Sequence, residues 1–227
     1  MASNKYGKIL TIILIILVIA ILGIVGFIIY SLVIKPYKDN ENIEQAMAQF
    51  DSTITGEGAE RENVIGKEST NEIELTNNIS TGNSGSGGGR SKTYYNGYVM
   101  LGYIEIPKTK IKYPIIQDTT VKALETAVAA LYPTNAVLNS PGNIVIIGHN
   151  YRNGKFFSNN KNLSVGDKIY ITGNDGKVEY LIYQIFEAAP TDTSFYGRDT
   201  GGVPEITLST CTDDVNARLI ILAKANI

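Results

Sequence analysis

Cysteine and histidine each occur once in the 227 residues. A single thiol excludes an intrachain disulfide framework, and one Cys with one His cannot build a Cys/His zinc cluster. Any thiol–imidazole pair must therefore be Cys211 with His149. Nowhere do Lys and Arg form a block interleaved with aromatics, so nucleic acid is not an expected partner. No glycine-rich phosphate loop precedes a helical pattern, and no internal repeat is visible. Charge is absent from the 26 residues Ile9–Ile34, ILTIILIILVIAILGIVGFIIYSLVI.

As a helix that run reaches roughly 39 Å, more than the ~30 Å hydrocarbon core of a bilayer. A cleaved secretion signal has a shorter apolar region ending at small residues, whereas this run continues into Tyr30 and Lys35. Nor does a Cys follow it, as a lipid anchor would require. Residues 9–34 thus read as an uncleaved membrane span. Lys5 and Lys8 precede it and Lys35 and Lys38 follow. The positive-inside rule then favours an internal amino terminus and an external body.

The formal net charge of −2 is unevenly spread. Residues 1–35 hold three Lys and no acid, 36–93 hold five basic and ten acidic residues, and 94–227 hold twelve of each. The middle segment, rich in Gly and Ser, buries too little apolar surface to offset chain entropy and reads as a flexible tether. Its first part, KDNENIEQAMAQF (38–50), could extend a helix with a thin apolar stripe of Ile43, Met47 and Phe50. Two N-x-S triplets, at Asn78 and Asn162, read as chance matches.

From about Tyr94 the texture becomes β-rich. Residues 98–107, 110–116, 143–149, 167–172, 177–188, 205–211 and 217–223 are strand-like runs bounded by Gly, Pro, Asn or Asp. Residues 119–133 space Val121, Leu124, Val128 and Leu131 like a helix closed by Pro133. Seven or eight short strands with one or two helices predict a closed or nearly closed β-barrel over 94–227.

Cys211 ends the run EITLSTC, and TDDVNA separates it from RLIILA. A hairpin there would bring Arg218 near Cys211, because paired side chains stand about 5 Å apart. His149 ends the apolar run NIVIIGH, at the kind of strand terminus from which functional side chains emerge. Taken singly, each has a blander reading: a buried thiol, a hydrogen-bonded imidazole and a surface charge. Together, the thiol needs a base or an electropositive neighbour to become a nucleophile. Arg218 cannot be that base near neutral pH, but suits an oxyanion or a carbonyl.

TLSTC (207–211) with an Arg on the following strand, GH at 148–149, and PGNIVIIGHNYRNGKFFSNNKNLSVGDKIYI (141–171) resemble the sortases. The resemblance covers roughly residues 98–224. It implies a sortase-like barrel in which Cys211 forms an acyl-thioester with a sorting motif similar to Leu-Pro-x-Thr-Gly. His149 would shuttle the proton and Arg218 would steady the oxyanion or the motif. Substrate contacts would fall to Thr210, Phe195 and Tyr196. The implied partners are surface proteins bearing the motif and an amine acceptor such as a peptidoglycan precursor, at a Gram-positive cell membrane. No cofactor or resident metal is implied, and calcium dependence stays open. The chain has no Asp-Pro dipeptide, ends at Ile227 without a second span, and offers only residues 189–204 before the last strand pair. It is therefore closer to housekeeping or class D-like members than to pilin-polymerising ones. A secreted thiol hydrolase and a non-catalytic surface adhesin remain the alternatives.

Overall fold

A computed structural model describes residues 3–55 and 92–227. The Gly/Ser-rich part of the expected tether, 56–91, lies outside the described residues. Contacts divide the chain into two compact units, Met1–Gln45 and Ala46–Ile227. In the first, helix α1 (Ser3–Ile29) passes through one π-helical turn, Tyr30–Ile34, into helix α2 (Lys35–Thr55). Leu10–Leu32 forms a 23-residue stretch, long and apolar enough to cross a membrane. Its side chains, among them Leu14, Ile16 and Phe27, are exposed.

The second unit takes in the last turns of α2, from Ala46, ahead of the boundary near 94 that composition suggests. There the thin apolar stripe finds a partner. Met47 and Phe50 are buried, Phe50 meets the Tyr103 ring edge-on at 6.3 Å, and the Tyr103 hydroxyl donates to Asp51.

Nine strands follow: β1 (Thr93–Tyr95), β2 (Tyr98–Ile106), β3 (Ile111–Ile116), β4 (Val128–Tyr132), β5 (Gly142–Ile147), β6 (Lys168–Gly173), β7 (Gly176–Ala188), β8 (Pro204–Cys211) and β9 (Arg218–Ala225). Eight of them close in the order β2-β3-β4-β5-β8-β9-β7-β6 and back to β2, while β1 hairpins onto β2. Closure removes the unpaired edges that an open sheet would expose. It requires close approach at Gly102, where a Cβ would stand 2.0 Å from the Thr172 carbonyl oxygen and φ is +155°. Only glycine fits there.

The barrel interior is packed with β-branched side chains. Ile104, Ile115, Ile146, Ile171, Ile206 and Ile221 are essentially inaccessible, and each such burial stabilises by about 1.5–3 kcal/mol.

The expected helix over 119–133 is a correction. Only Val121–Leu124 is helical (α3), capped by the Thr120 hydroxyl. Val128–Tyr132 is instead β4, parallel to β3 and antiparallel to β5. Filling the gap between those two strands satisfies both ladders and buries Val128, Ala129 and Ala130 in succession. That gain overrides a helical spacing which carries only weak local preference.

On the β6–β7 hairpin, Glu179 accepts from Lys168, Asn226 and Tyr170. The Lys168 ammonium first, then the Asn226 and Tyr170 donors, draw its carboxyl down from 4.5 to about 2. A depressed carboxylate pKa stabilises the fold above the unfolded value and loses that contribution as pH falls through the folded one. The Tm deficit of Glu179→Gln at pH 7 should therefore shrink as pH falls from 4.5 towards 2. Melting curves across that range check it, and the effect is modest because the group is solvent-screened.

Candidate active site

Three adjacent strands build the site through strand alternation alone. On β5, Ile144 and Ile146 point into the barrel, so Asn143, Val145 and Ile147 face outward. On β8, Ile206 and Leu208 point inward and Glu205, Thr207, Ser209 and Cys211 outward. On β9, Leu219 and Ile221 pack on the core, leaving Arg218, Ile220 and Leu222 on the outer face. β5 and β8 run parallel with Ile147 opposite Ser209. Two residues further in that register stand His149 and Cys211. β8 and β9 are antiparallel with Cys211 opposite Arg218. His149, just past the end of β5, thus continues one row with Cys211 and Arg218, which pair across strands spaced about 4.8 Å apart.

The row opens into a recess of about 270 Å³. His149, Cys211 and Arg218 line it together with Leu124, Leu131, Ile147, Pro190, Phe195 and Tyr196. Cys211 is half-buried and also borders a second recess of about 340 Å³ on its other side, shared with Asn150, Lys161, Glu187 and Asp213.

The imidazole of His149 stacks on Tyr151 at 4.8 Å, with 23° between planes. Its Nε2 is buried with no hydrogen-bond partner among the described residues. Gly148 before it has no room for a Cβ, which would stand 2.8 Å from Phe157 and 2.9 Å from Val128. A bare backbone there lets the strand end pack tightly. The Arg218 guanidinium donates a long 3.3 Å bond to the Ala217 carbonyl and is paired with no carboxylate among the described residues.

The three residues expected to contact substrate divide. The Thr210 hydroxyl lies buried and donates to the Gly148 carbonyl at 2.7 Å, tying β8 to β5. Phe195 is buried against Ile220 and Leu222. Tyr196 is half-buried in the recess wall, with its ring 5.6 Å from that of Tyr132. Burial raises its phenol pKa, against a lowering by the nearby Arg218 charge.

Sequence reading missed Asn150. Its side-chain amide donates to the Cys211 carbonyl at 3.0 Å and to Asp213 at 2.9 Å. Lys161 pairs with the same Asp213 at 2.6 Å and holds its carboxyl below the usual range, with Asn150 assisting. Together they pin the turn after Cys211. An Asn following a strand is ordinary loop chemistry, so nothing in the sequence signals that contact.

The family model for the sortase domain matches residues 104–226. Over 113 residues the chain is 34% identical to Sortase A of Bacillus anthracis, covering 49% of this chain and 52% of that protein. It is 29% identical over 130 residues to Sortase A of Staphylococcus aureus, covering 56% and 62%. The chain thus spans between half and two thirds of the length of these curated relatives. Among solved structures, Sortase A from Corynebacterium diphtheriae superposes with a TM-score of 0.52 at 28% identity, covering 57% of this chain and 62% of that one. A Clostridium perfringens Sortase D5 transpeptidase does so with a TM-score of 0.50 at 31% identity, covering 56% and 78%. A sortase C1 of Streptococcus agalactiae does so with 0.51 at 26%, covering 56% and 69%. These neighbours carry A, C and D designations, so the likeness selects no subclass. With the eight-stranded closure and a family match running over more than half the residues, the chain belongs to the sortase family.

Proposed function

We propose that this chain is a membrane-tethered cysteine transpeptidase that joins surface proteins to an amine through a Cys211 acyl-thioester. The observation that carries the reading is the row His149–Cys211–Arg218 on one outward face, all three lining the same recess. The Cys211 thiolate attacks the scissile carbonyl, forming the C–S bond. As the C–N bond breaks, His149 gives its proton to the departing amine. The acceptor amine then attacks the thioester, His149 recovers a proton from it, and the thiolate leaves. Arg218, beside the thiol, faces the oxygen on which charge develops in both steps.

The donor is a surface protein bearing a motif similar to Leu-Pro-x-Thr-Gly, and the acceptor an amine such as that of a peptidoglycan precursor. Residues 9–34 span the membrane once, with the amino terminus inside and the barrel outside. Anchoring suits the task because enzyme, donor and acceptor meet on one surface at raised effective concentration. Within the family we place the chain with housekeeping or class D-like members, on the short loop between β7 and β8 and the lack of an Asp-Pro dipeptide.

The test is the full-length protein in detergent, incubated with a panel of sorting-motif peptides and primary amines, with and without EDTA and added calcium. Mass spectrometry reads the products. Peptide joined to amine supports the proposal, hydrolysis without transfer makes the chain a thiol peptidase, and no reaction favours an adhesin. Dependence on calcium would add a metal that the reading does not include.

A further inference from the structure

The loop joining β7 to β8, residues 189–203, carries the Phe195–Tyr196 wall of the recess. It contains no helix or strand. Turn bonds such as Asp192 N–H to the Ala189 carbonyl and Tyr196 N–H to the Thr193 carbonyl satisfy some of its backbone groups locally, and side chains satisfy others. Asn143, on the outward face of β5, donates from one side-chain amide to the carbonyls of both Phe195 (3.2 Å) and Tyr196 (2.8 Å). Arg198 donates from Nη1 to the Phe195 carbonyl and to Thr207 Oγ1, each at 2.9 Å. Its Nε and Nη2 both reach Glu205 Oε2. The Thr207 hydroxyl in turn donates to Asn143 Oδ1 at 2.8 Å, and Tyr183 donates to Glu205. Asn143, Thr207 and Glu205 come from the same face of β5 and β8 that carries His149 and Cys211.

This network differs from the ion pairs elsewhere on the barrel. The Arg198 and Glu205 side chains are 19% and 12% exposed, against 53% and 47% for Lys161 and Asp213. A sheltered guanidinium using its whole fork fixes geometry in a way that a mobile surface pair does not. The main core lies on the other side of these strands, and on this side the network borders a small cluster in which Phe195 packs on Ile220 and Leu222. What it fixes is the position of two aromatic rings.

We propose that Arg198 is a positioning residue for donor selection. With Asn143 and Thr207 it clamps the Phe195 and Tyr196 carbonyls, so that the two rings meet an apolar side chain of the donor peptide as a preformed wall. The clamp rests on the transpeptidase reading above and adds to it the residues that set side-chain discrimination. A wall held in place rejects a side chain that leaves a gap. A loose wall closes on either.

The test compares two donor peptides, with Leu or Ala at the apolar position of the motif, using the full-length protein in detergent. The unaltered protein should favour Leu in kcat/KM by at least the roughly 10- to 200-fold that one methylene is worth in an apolar pocket. Arg198→Gln should raise KM for the Leu peptide, lower its kcat/KM by about 10²-fold, and shrink the Leu/Ala ratio to a few-fold. Arg198→Lys keeps the charge but not the fork and should follow Arg198→Gln. Thr207→Val, nearly isosteric, removes the two hydrogen bonds that its hydroxyl makes with Arg198 and Asn143 but leaves the Arg198 and Asn143 bonds to the loop, so it should shift the ratio the same way by less. It serves where the Arg198 variants fail to give a cooperative melt. Labelling of Cys211 by a small alkylating reagent should stay unchanged in every variant. A merely structural role lowers the active fraction and scales both peptides equally, so an unchanged ratio in a folded variant overturns the clamp. No transfer by the unaltered protein overturns the transpeptidase reading and the clamp together.

Discussion

Cys211→Ala should abolish transfer and thioester formation while leaving the barrel folded. Removing the nucleophile from a catalytic unit that acts as one costs about 10⁶-fold in rate. The structural cost is small by comparison. Only one sulfur atom leaves a half-buried position, a loss on the order of one buried methylene, about 0.8 kcal/mol. The Cβ and the pairing with Arg218 stay. A thermal melt should therefore move by only a few degrees, and mass spectrometry should find no acyl-enzyme. The unaltered protein, with one thiol in its whole sequence, should take up one equivalent of a thiol reagent under native conditions. If uptake waits for denaturant, Cys211 is a core residue and the nucleophile assignment is wrong. If Cys211→Ala still transfers peptide, the chemistry belongs to another group. Both outcomes are open to observation without knowing the natural substrate.

Much of this site was legible from strand pattern. Seven of the nine strands lie within a residue or two of the runs that β-branched content and turn residues mark out, and the Cys211–Arg218 hairpin follows from the short polar turn TDDVNA. Local sequence carries such information because a hairpin is a local structure. The neighbour relation of His149 and Cys211 is different. It arises from parallel pairing of β5 with β8, strands some sixty residues apart, and no residue near either end announces it. There the family resemblance supplied what spacing could not.

β4 was hidden for a related reason. Its residues Val128–Tyr132 are mostly small and apolar, a composition that suits helix and buried strand alike. Only the gap between β3 and β5 decides it. The Arg198 network was invisible because Arg198 sits in a Gly-rich, polar loop, YGRDTGG, that reads as solvent-exposed. Its fork becomes informative only once Glu205 and Thr207 are seen on one face of β8.

Arg218→Lys should lose about 10²–10³ in the rate of acylation, although net charge is unchanged. A donor aimed at a developing oxyanion is worth that factor when removed. Arg218 stands directly across the β8–β9 ladder from Cys211, so its guanidinium is within side-chain reach of whatever the thiol attacks. Its recorded hydrogen bond, to the neighbouring Ala217 carbonyl, is long at 3.3 Å. A weak intramolecular bond is given up at little cost when a substrate oxygen arrives. The fork offers planar, rigidly spaced N–H groups, whereas a Lys ammonium is a compact, strongly hydrated point charge on a flexible stem. Replacing one by the other keeps the field near the thiol and loses the geometry. The two contributions therefore separate in one experiment. Alkylation of Cys211 by a small neutral reagent, which builds no oxyanion, should proceed at nearly the original rate in Arg218→Lys. Acylation by a sorting-motif peptide should slow by the full factor. If both reactions slow together, Arg218 acts through its effect on the thiol. If neither slows, it is a bystander, and oxyanion stabilisation falls to backbone amides near the end of β8.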